Sequence, residues 1–371
     1  MAHPESYMRL ALNLAAKAVG DTSPNPVVGA VIVKGGRVVG RGYHRRAGLP
    51  HAEVEALRAA GKKARHAAMY VTLEPCDHLG RTPPCCEAVI AAGIKRVVVA
   101  MKDPHPITNG RGIAHLRRAG VQVVAGVLED EARRLNAPFV KAMTAHLPWV
   151  VAKVAQSLDG KIATATGASR WISSEASRRM AHRLRRGVDA ILVGVNTVVA
   201  DNPSLTVRAG RPSLRKDRPL KVILDSRLRT PLSSRCLSSS SSTPTIMATT
   251  ERSAKKQAPY RRRGVDLIVL PPLRGRVPLK QLLQGLLLHY QVQSVLIEGG
   301  GEVLASAFQE QLVDRLVWVV APLILGGRTS PSSVGGGGIQ RLQEAVRLKD
   351  LSVRRVGTDV VIEGDVVYPS I

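Results

Sequence analysis

The sequence predicts an α/β protein built as two domains. Apolar runs of strand length alternate with helical patterns along most of the chain. Pro148 follows the last helical pattern of the first half, and the chemistry-bearing motifs change at the same point. At 371 residues the chain is long for one domain and comfortable for two, and 44% hydrophobic content lets each half bury its own core. The boundary falls near residues 145–149, dividing the chain into 1–146 and 147–371.

In the first half, residues 6–19 carry apolar side chains at helical spacing (Met8, Leu10, Ala11, Leu14, Ala15). Asp21-Thr-Ser-Pro-Asn-Pro26 is a loop rich in turn formers. Residues 27–34 and 37–42 read as a hairpin around Gly35-Gly36. A helix over 52–60, a strand over 68–73, a helix over 84–92 closed by Gly93 and a strand over 97–101 follow. A helix over 111–119 closed by Gly120, a strand over 121–125 and one long helix over 129–144 complete the half. That order implies an α/β sandwich with a mainly parallel sheet behind the first hairpin. In the second half, strands are expected over 150–155, 190–193, 220–224, 245–248, 267–270 and 295–297. Helices are expected over 174–186, over 279–289 and from Glu302. Residues 317–324 and 351–363 read as β. The serine run in 233–243 and Gly335–Gly338 read as mobile surface loops. No repeat of solenoid period is present.

The formal net charge is +26. Such a charge suits an anionic ligand, nucleic acid or phosphorylated metabolite, and is equally compatible with solubility alone. Aromatic residues are only 3%, which counts against holding single-stranded nucleic acid by base stacking. Apolar runs such as Val97–Met101 and Leu316–Ile324 are too short to span a bilayer. The N-terminus lacks a charged region followed by an apolar one, so a cytoplasmic location is expected. Nothing in the sequence sets the oligomeric state, and a homo-oligomer is compatible with it.

The four cysteines are Cys76, Cys85, Cys86 and Cys236. Clustering of three of them downstream of a histidine points to metal rather than to a disulfide framework. His51-Ala-Glu53, then Pro75-Cys76, then Cys85 would give zinc three protein ligands and leave its fourth position to water. Glu53, two residues after the histidine at the start of a helix, could take a proton from the activated water and pass it to a leaving nitrogen. This is the H-x-E…P-C signature of zinc nucleobase deaminases. A structural zinc knot would want a fourth ligand. Cys86 adjoins Cys85, and adjacent residues rarely point at one metal, so Cys86 is expected as a packed small residue and Cys236 as an incidental loop thiol.

The usual second half of that signature is Pro-Cys-x-x-Cys, whereas here residues 77–84 separate the two cysteines. The resulting block, Cys76-Asp-His-Leu-Gly-Arg-Thr-Pro-Pro-Cys-Cys86, resembles that of the riboflavin deaminase–reductases. Pro24-Asn-Pro-x-Val-Gly29, Gly42-Tyr-His44, Pro50-His-Ala-Glu53 and Thr72-Leu-Glu-Pro-Cys76 match as well. The resemblance covers about residues 1–365 and is loosest across 211–273. It implies a cytidine-deaminase-like α/β/α sandwich followed by a domain similar to dihydrofolate reductase, with Zn2+ and NADPH as cofactors. The implied substrate is a phosphoribosylated diaminopyrimidinone, a phosphorylated pyrimidine. Motif position assigns its pocket to Asn25, His44, His78, Arg81 and Asp103. Two positions depart from the family: Asp77 stands where a small residue is usual, and Asp103-Pro-His105-Pro replaces Asp-Pro-Asn-Pro.

In the second half the informative pieces are Lys153-Val-Ala-Gln-Ser-Leu-Asp-Gly-Lys161, Ser169-Arg-Trp-Ile172, Gly194–Pro203, Leu205-Thr-Val-Arg208, Asp225-Ser226 and Glu298-Gly-Gly-Gly-Glu302. A strand running into glycines and then a helix can cradle phosphate. It is not a full G-x-G-x-x-G and lies late in the domain, which excludes a Rossmann reading; alone it is equally a ligand-free glycine turn. The resemblance implies NADPH contacts at Ala155, Trp171, Thr197, Asp201, Ser226 and Gly300, Gly301, Glu302, Val303, Leu304, Ala305 and Ser306. It implies substrate contacts at Ser169, Arg185, Leu205, Arg208 and Glu298. Arg185 and Arg208 have the chemistry of bidentate phosphate clamps. The implied chemistry is hydride transfer to C1′ of the opened ribose, with Lys153 and Asp201 both candidates for the accompanying proton. A nucleic-acid-editing deaminase and a non-enzymatic metabolite-binding protein are the rival readings. The second motif set counts against the first, and the intact His51, Glu53, Cys76, Cys85 set against the other.

Overall fold

The computed structural model describes residues 4–79, 83–106, 108–208, 219–238 and 243–369. It falls into two compact units that meet between His146 and Leu147.

In the first unit, α1 (Pro4–Ala16) precedes the hairpin β1 (Gly29–Lys34) and β2 (Arg37–Tyr43). Then come α2 (Ala52–Ala60), β3 (Ala68–Leu73), α3 (Cys85–Ala91), β4 (Arg96–Met101), α4 (Arg111–Arg118), β5 (Gln122–Ala125), α5 (Glu129–Leu135) and α6 (Ala137–Ala145). The sheet order is β2-β1-β3-β4-β5. β1 runs antiparallel to both β2 and β3, while β3, β4 and β5 are parallel. β3 and β4 are almost wholly buried, as continuous β-branched runs such as Val97-Val-Val99 require when helices cover both faces of a sheet. Helix α1 packs on α5, and α2, α3 and α4 pack in sequence against one another.

One long helix was expected over 129–144, but the structure breaks it at Asn136. Pro138 lies in the first turn of α6, and a proline within a continuous helix would clash with the preceding turn and remove a hydrogen bond. The break is put to use. Buried Asn136 accepts a hydrogen bond from the Val27 backbone at 2.9 Å and donates one to the Val27 carbonyl at 3.0 Å, which fixes the loop carrying Asn25.

The second unit contains β6 (Trp149–Ser157), α7 (Glu175–Arg186), β7 (Ala190–Gly194), α8 (Val195–Asp201), β8 (Leu220–Leu224), β9 (Thr245–Thr249), α9 (Ala254–Arg262) and β10 (Asp266–Val269). It continues with α10 (Leu279–Tyr290), β11 (Ser294–Glu298), α11 (Gly301–Gln309), β12 (Arg315–Ala321), β13 (Arg347–Val356) and β14 (Asp359–Val367). Its nine strands form one sheet in the order β10-β9-β8-β7-β11-β6-β12-β14-β13. The strands from β10 to β12 are parallel, and β14 and β13 extend the sheet antiparallel.

Three expectations need correction in this unit. The β segment over 351–363 is two strands turning at Gly357. Helix α9 went unread because its sequence is strongly basic and contains Pro259, yet Tyr260 on its inner face is buried. Cys236, expected in a mobile loop, is completely buried in the core with Val193, Ile223 and Met247. Its carbonyl accepts hydrogen bonds from the buried Lys221 ammonium and the Thr245 hydroxyl. Residues 239–242 of the serine run lie outside the described residues. Among the described residues no helix is long and apolar enough to cross a membrane.

Candidate functional site

The first unit gathers its chemistry where α2, α3 and the end of β3 converge. His51 is the residue immediately before α2, and Cys76 follows β3 through Glu74 and Pro75. Cys85 is the first residue of α3. His51 Nδ1 lies 3.2 Å from Cys85 Sγ and 3.7 Å from Cys76 Sγ. The three ligand atoms lie within 4.8 Å of one another. Two thiols and an imidazole at such separations suit tetrahedral zinc, and with only three protein donors one position is left for a reactant. Hydrogen bonding to Cys85 and His51 lowers the Cys76 thiol below its ordinary pKa, which favours a thiolate ligand.

Glu53 sits in the first turn of α2, only 3% exposed. Burial pushes its carboxyl up to about 7, against the opposing charge of His51. A carboxyl poised there can accept and return a proton near neutrality.

These groups open into a cavity of about 340 Å³ also lined by Asn25, His44, His78 and Asp103. His44 is buried and its pKa is lowered by that burial. Its Nδ1 lies 3.1 Å from the Pro50 carbonyl, and its Nε2 lies 3.1 Å from Asn25 Nδ2. A neutral ring donating through Nδ1 and accepting at Nε2 satisfies both contacts, which turns the Asn25 carbonyl oxygen free to orient a ligand. Asp103 accepts a hydrogen bond from the His105 backbone at 2.9 Å, and burial raises its pKa. Arg81 lies outside the described residues.

Glu74 was quoted within a motif but given no role. It is 3% exposed, and its carboxylate accepts backbone hydrogen bonds from Asp103 at 3.1 Å, Gly110 at 2.9 Å and Ile113 at 3.0 Å. It ties the segment bearing Asp103 to the strand end bearing Cys76. A Cβ at Gly112 would lie 1.9 Å from the Pro75 carbonyl, so α4 reaches this close only with glycine there. Glu74→Ala strands three backbone donors, two of them buried. We expect a loss of about 3 kcal/mol or more from the first unit, read as an earlier thermal transition; an unchanged transition would remove this role.

The family departure at Asp77 also has a structural partner. Asp77 pairs with His115, whose Nε2 lies 3.4 Å from Glu87. Cys86 lies beside them. Its fully buried thiol donates to the carbonyls of Pro75 and Gly112, and burial raises its pKa. The set therefore reads as a hydrogen-bonded clamp over a packed thiol, holding the start of the 77–84 segment beside His51, Cys76 and Cys85.

In the second unit the candidate side chains come from β6 and β11, from α7, α8 and α11 and from the loops between them. The register pairs Glu298 on β11 with Lys153 on β6. One cavity of about 630 Å³ is lined by Ser169, Thr197, Asp201, Ser226, Gly300, Gly301, Glu302, Val303 and Ser306. A second, of about 470 Å³, is lined by Lys153, Ala155, Trp171, Arg185, Leu205, Arg208, Glu298 and Leu304. Ser169, Thr197, Asp201 and Gly300 line both, so the two cavities adjoin. At that junction the Ser169 hydroxyl donates to Asp201 at 2.5 Å. Gly299 and Gly300, at φ +90° and +85°, form the turn that exposes the N-terminus of α11.

Some expectations shift here. Ala155, Trp171 and Leu304, expected at the cofactor, line the second, adjoining cavity; Trp171 is 68% exposed beneath the Arg178 guanidinium. Ala305 lines neither cavity, because the α11 turn directs it into the core. Arg185 is not an open phosphate clamp. Its Nε and one terminal nitrogen bond Glu298 at 2.7 and 2.6 Å, and the other donates to the Thr206 carbonyl at 2.9 Å. Burial pushes the Glu298 carboxyl up, but the charge and hydrogen bonds of Arg185 together with the charges of Lys153 and His182 outweigh it, and the net shift is downward. Arg208 is exposed, bonded to the hydroxyls of Thr206 and Ser204, and its backbone N–H is accepted by His182 Nδ1 at 3.2 Å.

Comparison with known proteins assigns both halves. Residues 1–101 match the family described as cytidine and deoxycytidylate deaminase zinc-binding region, and residues 148–362 match the RibD C-terminal domain. The riboflavin biosynthesis protein RibD of Aquifex aeolicus is 46% identical over 96% of this chain and 97% of its own. That of Escherichia coli is 40% identical over 96% and 98%. The Acinetobacter baumannii RibD structure matches with a TM-score of 0.88 at 38% identity, covering 98% of this chain and 99% of that one. A Thermotoga maritima structure described as a diaminohydroxyphosphoribosylaminopyrimidine deaminase/5-amino-6-(5-phosphoribosylamino)uracil reductase matches with a TM-score of 0.85 at 33% identity, covering 99% of each. The chain belongs to the RibD family, the bifunctional deaminase–reductases of riboflavin biosynthesis.

Proposed function

We propose that residues 1–146 deaminate a phosphoribosylated diaminopyrimidinone and that residues 147–371 then reduce its ribosyl side chain to ribityl. The observation that carries this reading is the pairing of two complete sites in one chain. One is a three-donor metal cluster with a buried glutamate at a cavity; the other is a pair of adjoining cavities, one closed by a glycine-rich helix start.

His51, Cys76 and Cys85 would hold zinc, which would supply Lewis acidity to activate water near neutral pH. Glu53 accepts the proton of the attacking water and returns it to the departing amino group, so that ammonia leaves and a carbonyl remains. Asn25, His44 and Asp103 hold the ring in register, His78 offers a hydrogen bond, and Arg81 supplies positive charge for the phosphate.

In the second unit the cavity lined by Thr197, Ser226 and Gly300 would hold NADPH, which would supply a hydride for reduction of the ribosyl side chain. Thr197, Ser226, Gly300, Gly301, Val303 and Ser306 orient the dinucleotide, while Arg208 takes the substrate phosphate. Lys153 gives the proton: burial lowers its pKa, an effect that the charge of Glu298 opposes. Glu298 and Arg185, locked to each other, form the floor rather than a clamp. The cysteines are free, which suits a reducing cytoplasm.

A fragment starting at Leu147 should fold alone, bind NADPH and reduce the deaminated pyrimidine without zinc. Within it Arg208→Ala should raise the substrate KM roughly tenfold or more by removing a charge-assisted contact worth about 1.5–3 kcal/mol, with little change in NADPH affinity. A folded fragment that fails to bind NADPH would mean that the cavity beside Gly300 has been misread. Tighter binding of NADH than of NADPH would overturn the cofactor assignment.

A further inference from the structure

The larger cavity of the second unit has to accommodate a dinucleotide bearing a diphosphate and a further phosphomonoester, yet among the described residues little positive charge faces it. Among its described lining residues Arg276 is the one lysine or arginine. It lies between β10 and α10, in a stretch where the sequence offers no motif.

One terminal nitrogen of Arg276 bonds Glu302 Oε2 at 2.7 Å, and the other lies 3.4 Å from the Ser306 hydroxyl. Glu302 stands in the first turn of α11, and its second oxygen accepts the Gly336 backbone N–H at 3.2 Å. A carboxylate is favourable at a helix N-terminus when nothing else is there. It is unfavourable to an incoming phosphate, which would meet like charge at the point where the helix dipole would otherwise welcome it. The Arg276 and Glu302 side chains are 56% and 53% exposed. An ion pair that open to water contributes little, so opening it costs little. Guanidinium, in contrast, offers a planar fork that matches a phosphate better than it matches one carboxylate oxygen.

We propose that Arg276 is a phosphate ligand of the bound dinucleotide, exchanging its resting partner Glu302 for a phosphate group as the cofactor enters. This rests on the reading of the larger cavity as the NADPH site. Arg276 then does two things: it screens Glu302 in the free protein and contributes two parallel N–H donors in the complex. The phosphate engaged is either the diphosphate or the 2′-phosphate, and the two sources give different results below.

The test is calorimetric titration of the full zinc-loaded chain with NADPH and with NADH, using the wild type, Arg276→Ala, Glu302→Gln and the double variant. Wild type that binds neither dinucleotide would sink the cavity assignment itself. With wild-type binding established, Arg276→Ala is expected to weaken NADPH roughly ten- to a hundredfold. A loss confined to NADPH identifies the 2′-phosphate; an equal loss with NADH identifies the diphosphate. Glu302→Gln alone should leave NADPH affinity unchanged or improved, and the double variant should remain as weak as Arg276→Ala. Return of the double variant to wild-type affinity would reduce Arg276 to a screen for Glu302 and overturn the proposal. So would an Arg276→Ala affinity within twofold of wild type.

Discussion

Glu53→Gln is expected to retain zinc and lose deamination by about 10²–10⁴-fold, while reduction of separately supplied deaminated intermediate continues. The amide keeps the size of the side chain and its place in the first turn of α2, where Glu53 is 3% exposed. What it removes is a group able to carry a proton. His51, Cys76 and Cys85 are untouched, so metal content is the internal control. Deamination within tenfold of wild type would mean that another group moves the proton.

Loss of a ligand should act one step earlier. Cys76→Ser or Cys85→Ser replaces a thiolate by a hydroxyl that stays protonated near neutrality and ligates zinc poorly. Metal content should fall from about one per chain toward zero, since a three-ligand site tolerates no vacancy, and deamination should disappear with it. Cys86→Ser should keep both, because the Cys86 thiol is spent on the Pro75 and Gly112 carbonyls. Metal analysis and ammonia release on the same samples check all three variants. Full zinc content in Cys76→Ser would remove the site as described.

The chemistry in the first unit was legible because zinc and proton transfer demand particular side chains at particular spacing, and His51-x-Glu53 with Pro75-Cys76 states that demand directly. Alternation of strand and helix patterns was legible for the same elements that bury the most, such as β3 and β4. What stayed hidden depends on contacts between residues far apart in sequence. Glu74 looks like any acidic residue until three backbone donors from residues 103, 110 and 113 converge on it. Arg185 reads as an open clamp until β11 brings Glu298 against it. Asp77 reads as a departure until α4 supplies His115. Helix α8, rich in residues of modest helix propensity such as Val, Asn and Thr, forms because its capping glycine ends β7 and its inner valines are buried, not because its composition favours it. Arg276 had no motif around it at all, and only the cavity reveals it.

The most direct measurement supplies the zinc-loaded chain with the phosphoribosylated diaminopyrimidinone and NADPH and follows ammonia release and loss of the NADPH absorbance band together. Ammonia should appear first, and NADPH should then be consumed in equal molar amount, with Glu53→Gln abolishing both signals unless deaminated intermediate is added. Zinc-loaded protein that releases no ammonia, or that oxidises NADPH on the undeaminated substrate at the same rate, would contradict the assignment of the two sites.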